Sequence, residues 1–240
     1  MKNTFIIVIP IYNETPKSYE NIALTQLGNI IKNKHYNVCA IYPIGMCTDN
    51  YNQYNYITEW KPTNGYYFKN TETYSQLLLS QFFYDRFADY DMMYIFQTDV
   101  YIFKDDFQKY ANYNFDYIGA PIIGKDSDWK HVPQVGNGGF SLRKISTFQD
   151  MLDVNTLHAM GINEVILNEQ KYEDLFICDT LKYKYDLNMP TVQDAFKFAW
   201  DRNVEYIYNN ITKELPMAAH WFNHQLYFWE KIIPELNKIK

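Results

Sequence analysis

The stretch "YIFQTDVYIF" (Tyr94–Phe103) decides how this chain can fold. Nearly all of its residues are aromatic or aliphatic, which predicts a buried strand. A carboxylate, Asp99, nevertheless lies near its middle, and Gln97 precedes it by two residues. Because an ionised carboxylate is costly in apolar surroundings unless it is paired or binds a metal, we expect Asp99 to point from the end of a strand into a cleft.

The segments before this stretch predict an α/β fold with a mostly parallel sheet flanked by helices. "TFIIVIPIYNE" (Thr4–Glu14) indicates a buried strand, a helix follows from Thr15, and "NVCAIYP" (Asn37–Pro43) indicates a second strand. This order is typical of a βαβ unit. Residues 44–65 predict an irregular connection. Ligands of parallel sheets bind beyond the carboxyl ends of the strands, where Asn13 and Glu14 would join Asp99.

The segments after residue 65 continue the alternation of helices and strands. We predict one helix over Thr73–Phe87 and a strand over Phe115–Pro121. Val135–Lys144 is predicted to be a glycine-rich turn that enters another strand or helix. The last third is predicted to be mostly helical, with a short strand near Val204–Asn209. No repeat or linker divides the 240 residues, so we expect a single domain.

Composition restricts the class of function. The net charge of −6 argues against a nucleic-acid partner, because no basic excess is available to neutralise phosphates. Three cysteines without zinc-site spacing predict a reduced, cytoplasmic protein. The apolar run "FIIVIPIY" is too short to cross a membrane, so we expect no transmembrane segment and at most a peripheral association.

Four motifs could carry chemistry, and each also has an ordinary structural explanation. Asp99 could hold a divalent cation against a diphosphate, or cap a turn, or pair with a buried basic residue. The glycines of "VGNGG" (Val135–Gly139) could bring backbone amides close to a ligand, or form a tight turn or bulge. Glu173 and Asp174 could supply a general base, or an acidic first helical turn.

The fourth motif is a pair of histidines near the end of the chain. His220 and His224 have the i, i+4 spacing that would place both on one helical face. Such a pair could bind zinc, although no HExxH pattern and no obvious third ligand accompany it. The ordinary alternative is a histidine packed among aromatic core residues.

The order of these motifs resembles that of a known family. "TYSQLLLS", "YIFQTDVYIF", "FDYIGAPI", "VGNGGFSLRK", "YEDLFI" and a late histidine resemble glycosyltransferase-like proteins of bacteria, fungi and viruses, described mainly as a domain of unknown function. That family is similar to the GT-A glycosyltransferases. The resemblance covers residues 66–222, and its most specific part is "DYIGAP" followed by "VGNGGFSLR".

The resemblance implies a metal and diphosphate site. The Asp-x-Asp motif of the GT-A pattern falls on Gln97–Asp99. Asp99 would then bind Mn²⁺ or Mg²⁺ and the diphosphate, and His220 would complete the metal site. Gln97 replaces the first aspartate and would hydrogen-bond a ribose or sugar hydroxyl, although it is the poorer metal ligand.

The resemblance also implies roles around the nucleotide, the sugar and the acceptor. Asp174 would be the general base of an inverting transfer, with Glu173 beside it. The remaining donor-binding residues would be Tyr12, Asn13, Glu14, Gly138 and Gly139. Residues 1–103 would form the nucleotide-binding half of a domain spanning residues 1–240, and residues 104–240 the acceptor-side half with the C-terminal helices.

The implied activity is a metal-assisted, hexosyltransferase-like reaction. A sugar would move from a nucleotide-diphosphate sugar to a hydroxyl of a glycan or another acceptor, in glycan or surface polysaccharide synthesis. Two alternatives stay open. One is a non-catalytic nucleotide- or sugar-binding module of the same fold, which Gln97 favours, and the other is a nucleotidyltransferase that would release pyrophosphate.

Overall fold

A computed structural model describes residues 2–122 and 135–238. Its strands are β1 (Phe5–Pro10), β2 (Asn37–Pro43), β3 (Glu59–Thr63), β4 (Met92–Phe96), β5 (Val100–Ile102), β6 (Tyr117–Pro121), β7 (Val135–Lys144), β8 (Ala199–Trp200) and β9 (Ala218–His220). Its α-helices are Ser18–Ile30, Thr71–Leu78, Gln81–Asp85, Phe107–Ala111, Ile145–Met151, Val154–Ala159, Glu164–Asn168, Glu173–Phe176, Lys182–Tyr185, Val192–Phe198, Val204–Ile207 and Leu226–Trp229. None of the helices in these ranges is long and apolar enough to cross a membrane.

The main sheet has six strands in the order β3-β2-β1-β4-β7-β6. The strands from β3 to β4 pair in parallel, whereas β7 runs antiparallel to both β4 and β6. The predicted fold class, an α/β domain with a mostly parallel sheet flanked by helices, is therefore confirmed. The single reversed strand makes the sheet mixed.

Both faces of the main sheet are covered, which explains why the interior strands β1 and β4 are hydrophobic throughout. In β1, Ile7 and Ile9 pack with Leu24 and Leu27 of the helix Ser18–Ile30. The alternate residues of β1, including Ile6, pack on the opposite face with the helices at 71–85 and 145–151. A charged residue in such a strand would have no route to water.

The stretch Tyr94–Phe103 is two strands, so the prediction of one continuous strand is wrong. β4 ends at Phe96, and β5 begins at Val100 in a separate sheet. The Val100 N–H donates to the carbonyl of Gln97 at 3.0 Å and closes a turn across Gln97–Asp99. The polar residues thus lie at the turn between two sheets. Tyr94 and Phe96 before the turn and Val100 and Ile102 after it share one hydrophobic core.

The second sheet is small and gathers residues from distant parts of the chain. It has the order β5-β9-β8, with Val100 of β5 opposite His220 of β9 in antiparallel register. β8 pairs with β9 in parallel. Asp99 precedes β5, Asp201 follows β8 and His220 ends β9, so all three side chains come to one edge of this sheet.

Two further predictions in the first half need correction. Residues 44–65 contain the edge strand β3, which the pattern hides because Lys61 and Pro62 interrupt any apolar alternation and only an edge strand tolerates proline. The helix predicted over Thr73–Phe87 is divided into two helices. Ser80 lies between them in extended backbone, and its hydroxyl donates to the carbonyl of Leu77 at 2.6 Å.

Two predictions in the second half are also wrong. The predicted glycine-rich turn is instead the body of β7, Val135–Lys144. The strand expected near Val204–Asn209 is the helix Val204–Ile207, continued by a π-helical segment at Tyr208–Thr212. Asn203, in the left-handed region at φ 55°, turns the chain into that helix, and tertiary context overrides the local β propensity.

Candidate active site

A chain of three charged side chains forms the centre of the site. Nδ1 of His220 lies 3.1 Å from Oδ1 of Asp201, and Nε2 of His220 lies 3.3 Å from Oδ1 of Asp99. The Asp99 and Asp201 side chains are 17% and 9% exposed, so the imidazole is held between two largely buried carboxylates. Asp201 fixes the orientation of the ring and directs Nε2 towards Asp99. His220 lines the neighbouring pocket, whereas Asp99 is not among the described residues that line it and lies behind the ring, so the expectation that Asp99 points directly into a cleft is wrong.

The two carboxylates determine the charge of His220. Burial by itself disfavours the imidazolium, but the facing Asp99 and Asp201 outweigh it and raise the pKa of His220 to about 10. Burial would likewise raise the pKa of Asp99, yet the charge of His220 outweighs it and lowers that pKa below its usual value. Asp99 is therefore a carboxylate at neutral pH.

The residues around Nε2 fit a divalent cation that takes the place of the Nε2 proton, since only a neutral imidazole binds a metal. Oδ1 of Asp99 is buried and makes no hydrogen bond among the described residues. Nε2 of His220 lies 3.3 Å from this oxygen and 3.2 Å from Oε1 of Gln97. Two ligands about 2.1 Å from one octahedral ion, at right angles, lie about 3.0 Å apart, so these separations suit Mg²⁺ or Mn²⁺.

The protein ligands alone do not enclose such an ion. Within residues 2–122 and 135–238, no group of three or more His, Cys, Asp or Glu side chains converges on one point. Asp201 lies across the ring from Asp99 and occupies Nδ1. Mg²⁺ and Mn²⁺ commonly take one or two protein ligands and complete their coordination with water and substrate phosphates, so the arrangement suits an ion that arrives with its substrate.

The zinc pair suggested by the spacing of His220 and His224 is not formed. His220 ends strand β9, whereas the exposed His224 lies in the 3₁₀ segment Phe222–His224. The ring of His224 packs on Trp221 with the ring centroids 4.2 Å apart. The two histidines therefore share no helical face, and the spacing argument for zinc is wrong.

Two adjoining pockets open beside this centre. The first, which we call the Tyr12 pocket, has a volume of about 340 Å³, and the second, the Asp174 pocket, about 400 Å³. They share Thr71, Tyr74 and Gln97. The hydroxyl of Tyr74 is buried at this seam without a hydrogen-bond partner among the described residues. An elongated ligand could occupy both pockets and pass over Gln97 at the seam.

The three donor-binding residues predicted after the first strand differ in their surroundings. Tyr12 lines its pocket and is 44% exposed, whereas neither Asn13 nor Glu14 is among the described residues that line the two pockets. The Asn13 carbonyl accepts from the hydroxyl of Tyr51 at 2.9 Å. The Glu14 carbonyl accepts from the side chain of Asn50 at 3.1 Å. These two residues anchor the loop after β2.

Glycine is needed at positions 138 and 139 because other side chains lie very close to the backbone of β7 there, and neither glycine has a positive φ. A Cβ at position 139 would lie 2.2 Å from Nε2 of His220, and a Cβ at 138 would lie 2.5 Å from Oε1 of Glu173. The Gly138 N–H donates to Oδ2 of Asp174 at 3.0 Å. Both glycines line the Asp174 pocket and let the catalytic candidates pack directly on β7.

Glu173 and Asp174 are neighbours in sequence with different surroundings. Glu173 is buried, and its Oε1 lies 3.0 Å from Nη2 of the fully buried Arg143. Its Oε2 accepts from the hydroxyl of Ser75 at 3.1 Å. Asp174 is only partly buried and lines the pocket. The geometry therefore leaves Asp174 as the carboxylate that a substrate can reach, while Glu173 is occupied by structural contacts.

The environment of Asp174 suits proton transfer. Burial, assisted by the charge of Glu173, raises the pKa of Asp174 to about 6, although backbone N–H groups of Gly138 and Leu175 stabilise its ionised form. A general base is most effective when its pKa lies close to the working pH. Asp174 is thus ionised at neutral pH and close enough to titration to accept a proton.

Comparison with known proteins places the chain among proteins of one family. The family described as "Protein of unknown function (DUF5672)" matches residues 58–220, more than half of the sequence. The chain belongs to this family. A search of curated protein sequences finds no match to this DUF5672 member.

Solved structures share the fold of this DUF5672 protein at low sequence identity. Mouse xyloside xylosyltransferase 1 in its apo form superimposes with a TM-score of 0.54 at 8% identity, covering 90% of this chain and 97% of that one. The galactosyltransferase LgtC, in complex with donor and acceptor sugar analogs, gives 0.52 at 9% identity, with 97% and 95% covered.

A third structure extends the comparison to a larger protein. The glycosyltransferase GlyE of Streptococcus pneumoniae gives a TM-score of 0.51 at 12% identity, covering 91% of this chain and 54% of that chain. These similarities establish the GT-A fold. The expected resemblance to a family of unknown function with a GT-A fold is confirmed.

Several polar residues of the site were not predicted from the DUF5672 sequence. They are Tyr74, Arg143, Asp201 and Arg202. Asp201 and His220 are distant from Asp99 in sequence, and a two-residue strand such as β8 has no recognisable pattern. "AWDRN" (Ala199–Asn203), an apolar pair followed directly by charged residues, was the signal that could have indicated a strand end.

Proposed function

We propose that this protein is a glycosyltransferase that moves a sugar from a nucleotide-diphosphate sugar to a hydroxyl acceptor. One observation carries the proposal. On a GT-A fold, a buried carboxylate with an unsatisfied oxygen, Asp99, meets His220 beside the seam of two adjoining pockets. Such an arrangement suits a ligand with a base and ribose at one end, a sugar at the other and a diphosphate between them.

The proposed cofactor is Mn²⁺ or Mg²⁺, held by Asp99 and His220 together with diphosphate oxygens of the donor. The orphaned oxygen of Asp99 and the 3.3 Å separation from Nε2 support this assignment. When bound, such an ion supplies positive charge that stabilises the departing diphosphate. Asp201 holds the His220 ring in the required orientation, as second carboxylates commonly do at metal sites.

The Tyr12 pocket is the proposed site of the nucleoside. Tyr12 and Phe68 offer aromatic surface to a base, and Asn70 offers hydrogen bonds to a ribose. Its described lining residues all precede residue 103, which supports a nucleotide-binding half over residues 1–103. Gln97 at the seam would hydrogen-bond a hydroxyl of the donor.

Asp174 is the proposed general base for a transfer by direct displacement. The acceptor hydroxyl attacks the anomeric carbon, and its proton passes to a carboxylate oxygen of Asp174. The bond between the anomeric carbon and the diphosphate oxygen breaks, and its electron pair leaves with the nucleoside diphosphate. The pKa of about 6 supports this role, because the group is ionised at neutral pH.

A second function is favoured by one contact. Oε1 of Gln97 faces Nε2 of His220 at 3.2 Å, so the glutamine that replaces the first aspartate occupies the position where a cation would approach. A module that binds a nucleotide sugar without cleaving it would keep this contact. Under this alternative the pockets hold a ligand, and Asp174 has no proton to accept.

A product assay separates the two functions. The protein is incubated with a panel of UDP-, GDP-, CDP- and dTDP-sugars, with Mn²⁺ and mixed glycan acceptors, and release of nucleoside diphosphate is measured. The glycosyltransferase predicts release from one class of donor, faster with acceptor present. Binding without release would favour the module. A separate reaction with nucleoside triphosphates and sugar 1-phosphates tests for a nucleotidyltransferase, which would release pyrophosphate from the triphosphate as the sugar phosphate attacks it.

A further inference from the structure

Arg202 stands out among the residues that line the Asp174 pocket. Its side chain is 62% exposed, and its guanidinium makes no hydrogen bond among the described residues, although it carries five N–H donors. Nε lies 3.6 Å from Oδ2 of Asp201, beyond hydrogen-bonding distance. A planar cation whose N–H donors bind none of the described residues stands at the wall of a pocket and can bind a ligand.

The guanidinium is nevertheless held in place. Its central carbon lies 4.6 Å from the centroid of the Trp221 ring, a distance typical of a cation–π contact. Trp221 is fixed in the left-handed region at φ 58°, where its backbone N–H donates to the carbonyl of Asp99 at 3.0 Å. A bulky residue held in that conformation is strained, and such strain is concentrated at functional sites.

The position of Arg202 is coupled to that of the candidate metal ligand. The carboxylate of Asp201 faces Nδ1 of His220 with one oxygen and Nε of Arg202 with the other. The same group therefore orients both cations of the pocket lining. Arg202 lies at the His220 end of the pocket, which is where the proposed function requires the donor's diphosphate.

The charge of the pocket makes such a cation necessary. Its described lining includes the carboxylates of Glu173, Asp174 and Asp201, and Asp99 lies behind His220. Glu173 is neutralised by Arg143, but the others would repel a diphosphate. One divalent ion bound at His220 would not offset all of this negative charge when a diphosphate approaches. A guanidinium adds positive charge and can bind two phosphate oxygens at once.

We propose that Arg202 is a diphosphate-binding residue, held by Trp221 and Asp201, that binds the nucleoside diphosphate of the donor and stabilises it as it leaves. This inference rests on the proposed function, because it takes the ligand to be a nucleotide-diphosphate sugar. It adds an anion contact independent of the cation held by Asp99 and His220.

The test is calorimetric titration of the wild type, Arg202→Ala and Arg202→Lys with UDP, GDP, CDP and dTDP and with the matching nucleosides. For the nucleotide that the wild type prefers, Arg202→Ala is expected to raise the Kd tenfold or more. The Kd of the nucleoside, which has no phosphate, stays unchanged. Arg202→Lys recovers only part of the loss, because lysine lacks the planar fork.

Lys171→Ala is the matched control. Lys171 is 69% exposed, pairs with Glu72 and is absent from the described lining of both pockets, so this variant removes the same charge elsewhere. Its Kd should equal that of the wild type. Because Arg202 is largely exposed, the Tm of Arg202→Ala should fall by no more than about 3 °C.

The outcomes separate this inference from the proposed function. Equal diphosphate affinity in Arg202→Ala and the wild type would overturn the role of Arg202 and leave the glycosyltransferase intact. If the wild type binds no nucleotide, titration with inorganic pyrophosphate decides. If pyrophosphate binds and its binding depends on Arg202, the anion site is supported and a nucleotide-sugar donor is contradicted. If pyrophosphate does not bind either, both the anion site and the proposed donor are contradicted.

Discussion

Two buried charge clusters face the same pocket, and they differ in how completely they are satisfied. In the first, Arg143 donates to Glu173 at 3.0 Å, to the hydroxyl of Tyr84 at 3.0 Å and to that of Ser141 at 3.1 Å. In the second, His220 lies between Asp99 and Asp201, and Oδ1 of Asp99 makes no hydrogen bond among the described residues.

The difference indicates what each cluster does. A buried ion pair whose donors and acceptors are all used stabilises one arrangement of the fold, and loss of either partner is costly. A buried carboxylate oxygen that forms an ion pair with His220 at 3.3 Å but accepts no hydrogen bond from a described residue is incompletely satisfied, and a ligand that binds there would explain it. The Arg143 cluster is therefore structural, and the Asp99 cluster is the one we expect a ligand to complete.

The largest effect is expected from the structural cluster. Arg143→Leu leaves Glu173 buried without its partner, which should lower the free energy of unfolding by about 3–5 kcal/mol. Urea denaturation followed by circular dichroism measures this change. Arg143→Leu combined with Glu173→Leu should recover part of the loss. A single variant as stable as the wild type would contradict the structural role.

The ligand-binding cluster should lose activity more than stability. Asp99→Asn keeps the shape of the side chain but removes the charge that faces His220 at 3.3 Å, so it should lower the free energy of unfolding by about 1–3 kcal/mol. The loss is smaller than that of Arg143→Leu because Asp201 still pairs with the ring. The rate of donor cleavage by Asp99→Asn should fall about a hundredfold or more, since a principal electrostatic contact is lost. Unaltered kcat/KM in a folded Asp99→Asn protein would remove the distinction between the clusters.

Asp174 lines the pocket that both clusters face, and its variants test the proposed proton transfer. Asp174→Asn should lower kcat about a hundredfold with little change in nucleotide affinity. With a pKa of about 6, the base is protonated at lower pH, so kcat/KM of the wild type should rise through pH 6 and level above it. Initial rates between pH 4.5 and 8.5 measure this. A flat profile over that range would exclude Asp174 as the base.

The smallest effect on ligand binding is expected at Gly139, the glycine of β7 on which the His220 ring packs. Gly139→Ala would place a Cβ 2.2 Å from Nε2 of His220, so the ring must move away. We expect a loss of stability of about 1–3 kcal/mol and a lower affinity for Mn²⁺. Gly45→Ala is an informative contrast, since a Cβ there meets nothing within 4 Å although its φ of 86° strains the backbone. A Gly139→Ala protein with wild-type Mn²⁺ affinity would show that the contact is unimportant.

The sequence predicts the elements whose patterns are strong and local. β2 coincides with its predicted bounds, β1 lies within its own, and the first helix begins three residues after its predicted start at Thr15. Continuous apolar runs and helical periodicity both arise from burial against the main sheet. β3 was missed because an edge strand needs no apolar alternation. The turn at Gln97–Asp99 was hidden because the strands on either side are both buried and therefore both apolar.

The site was predictable only in part, for a related reason. The motif residues Gln97, Asp99, Asp174 and His220 are brought together around the Asp174 pocket. Their partners are contributed by long-range contacts, such as Arg143 with Glu173 and Arg202 with Trp221, which leave no periodic trace in the sequence. The division at residue 103, the metal and the location in the cell stay predictions.

Titration of a nucleoside diphosphate in the presence and absence of Mn²⁺ decides whether Asp99 and His220 hold a cation against the diphosphate. We expect the wild type to bind at least tenfold more tightly with Mn²⁺, and Asp99→Asn to lose this dependence while remaining folded. Wild-type affinity that is the same with and without Mn²⁺, or an Asp99→Asn protein that keeps the full dependence, would contradict this assignment.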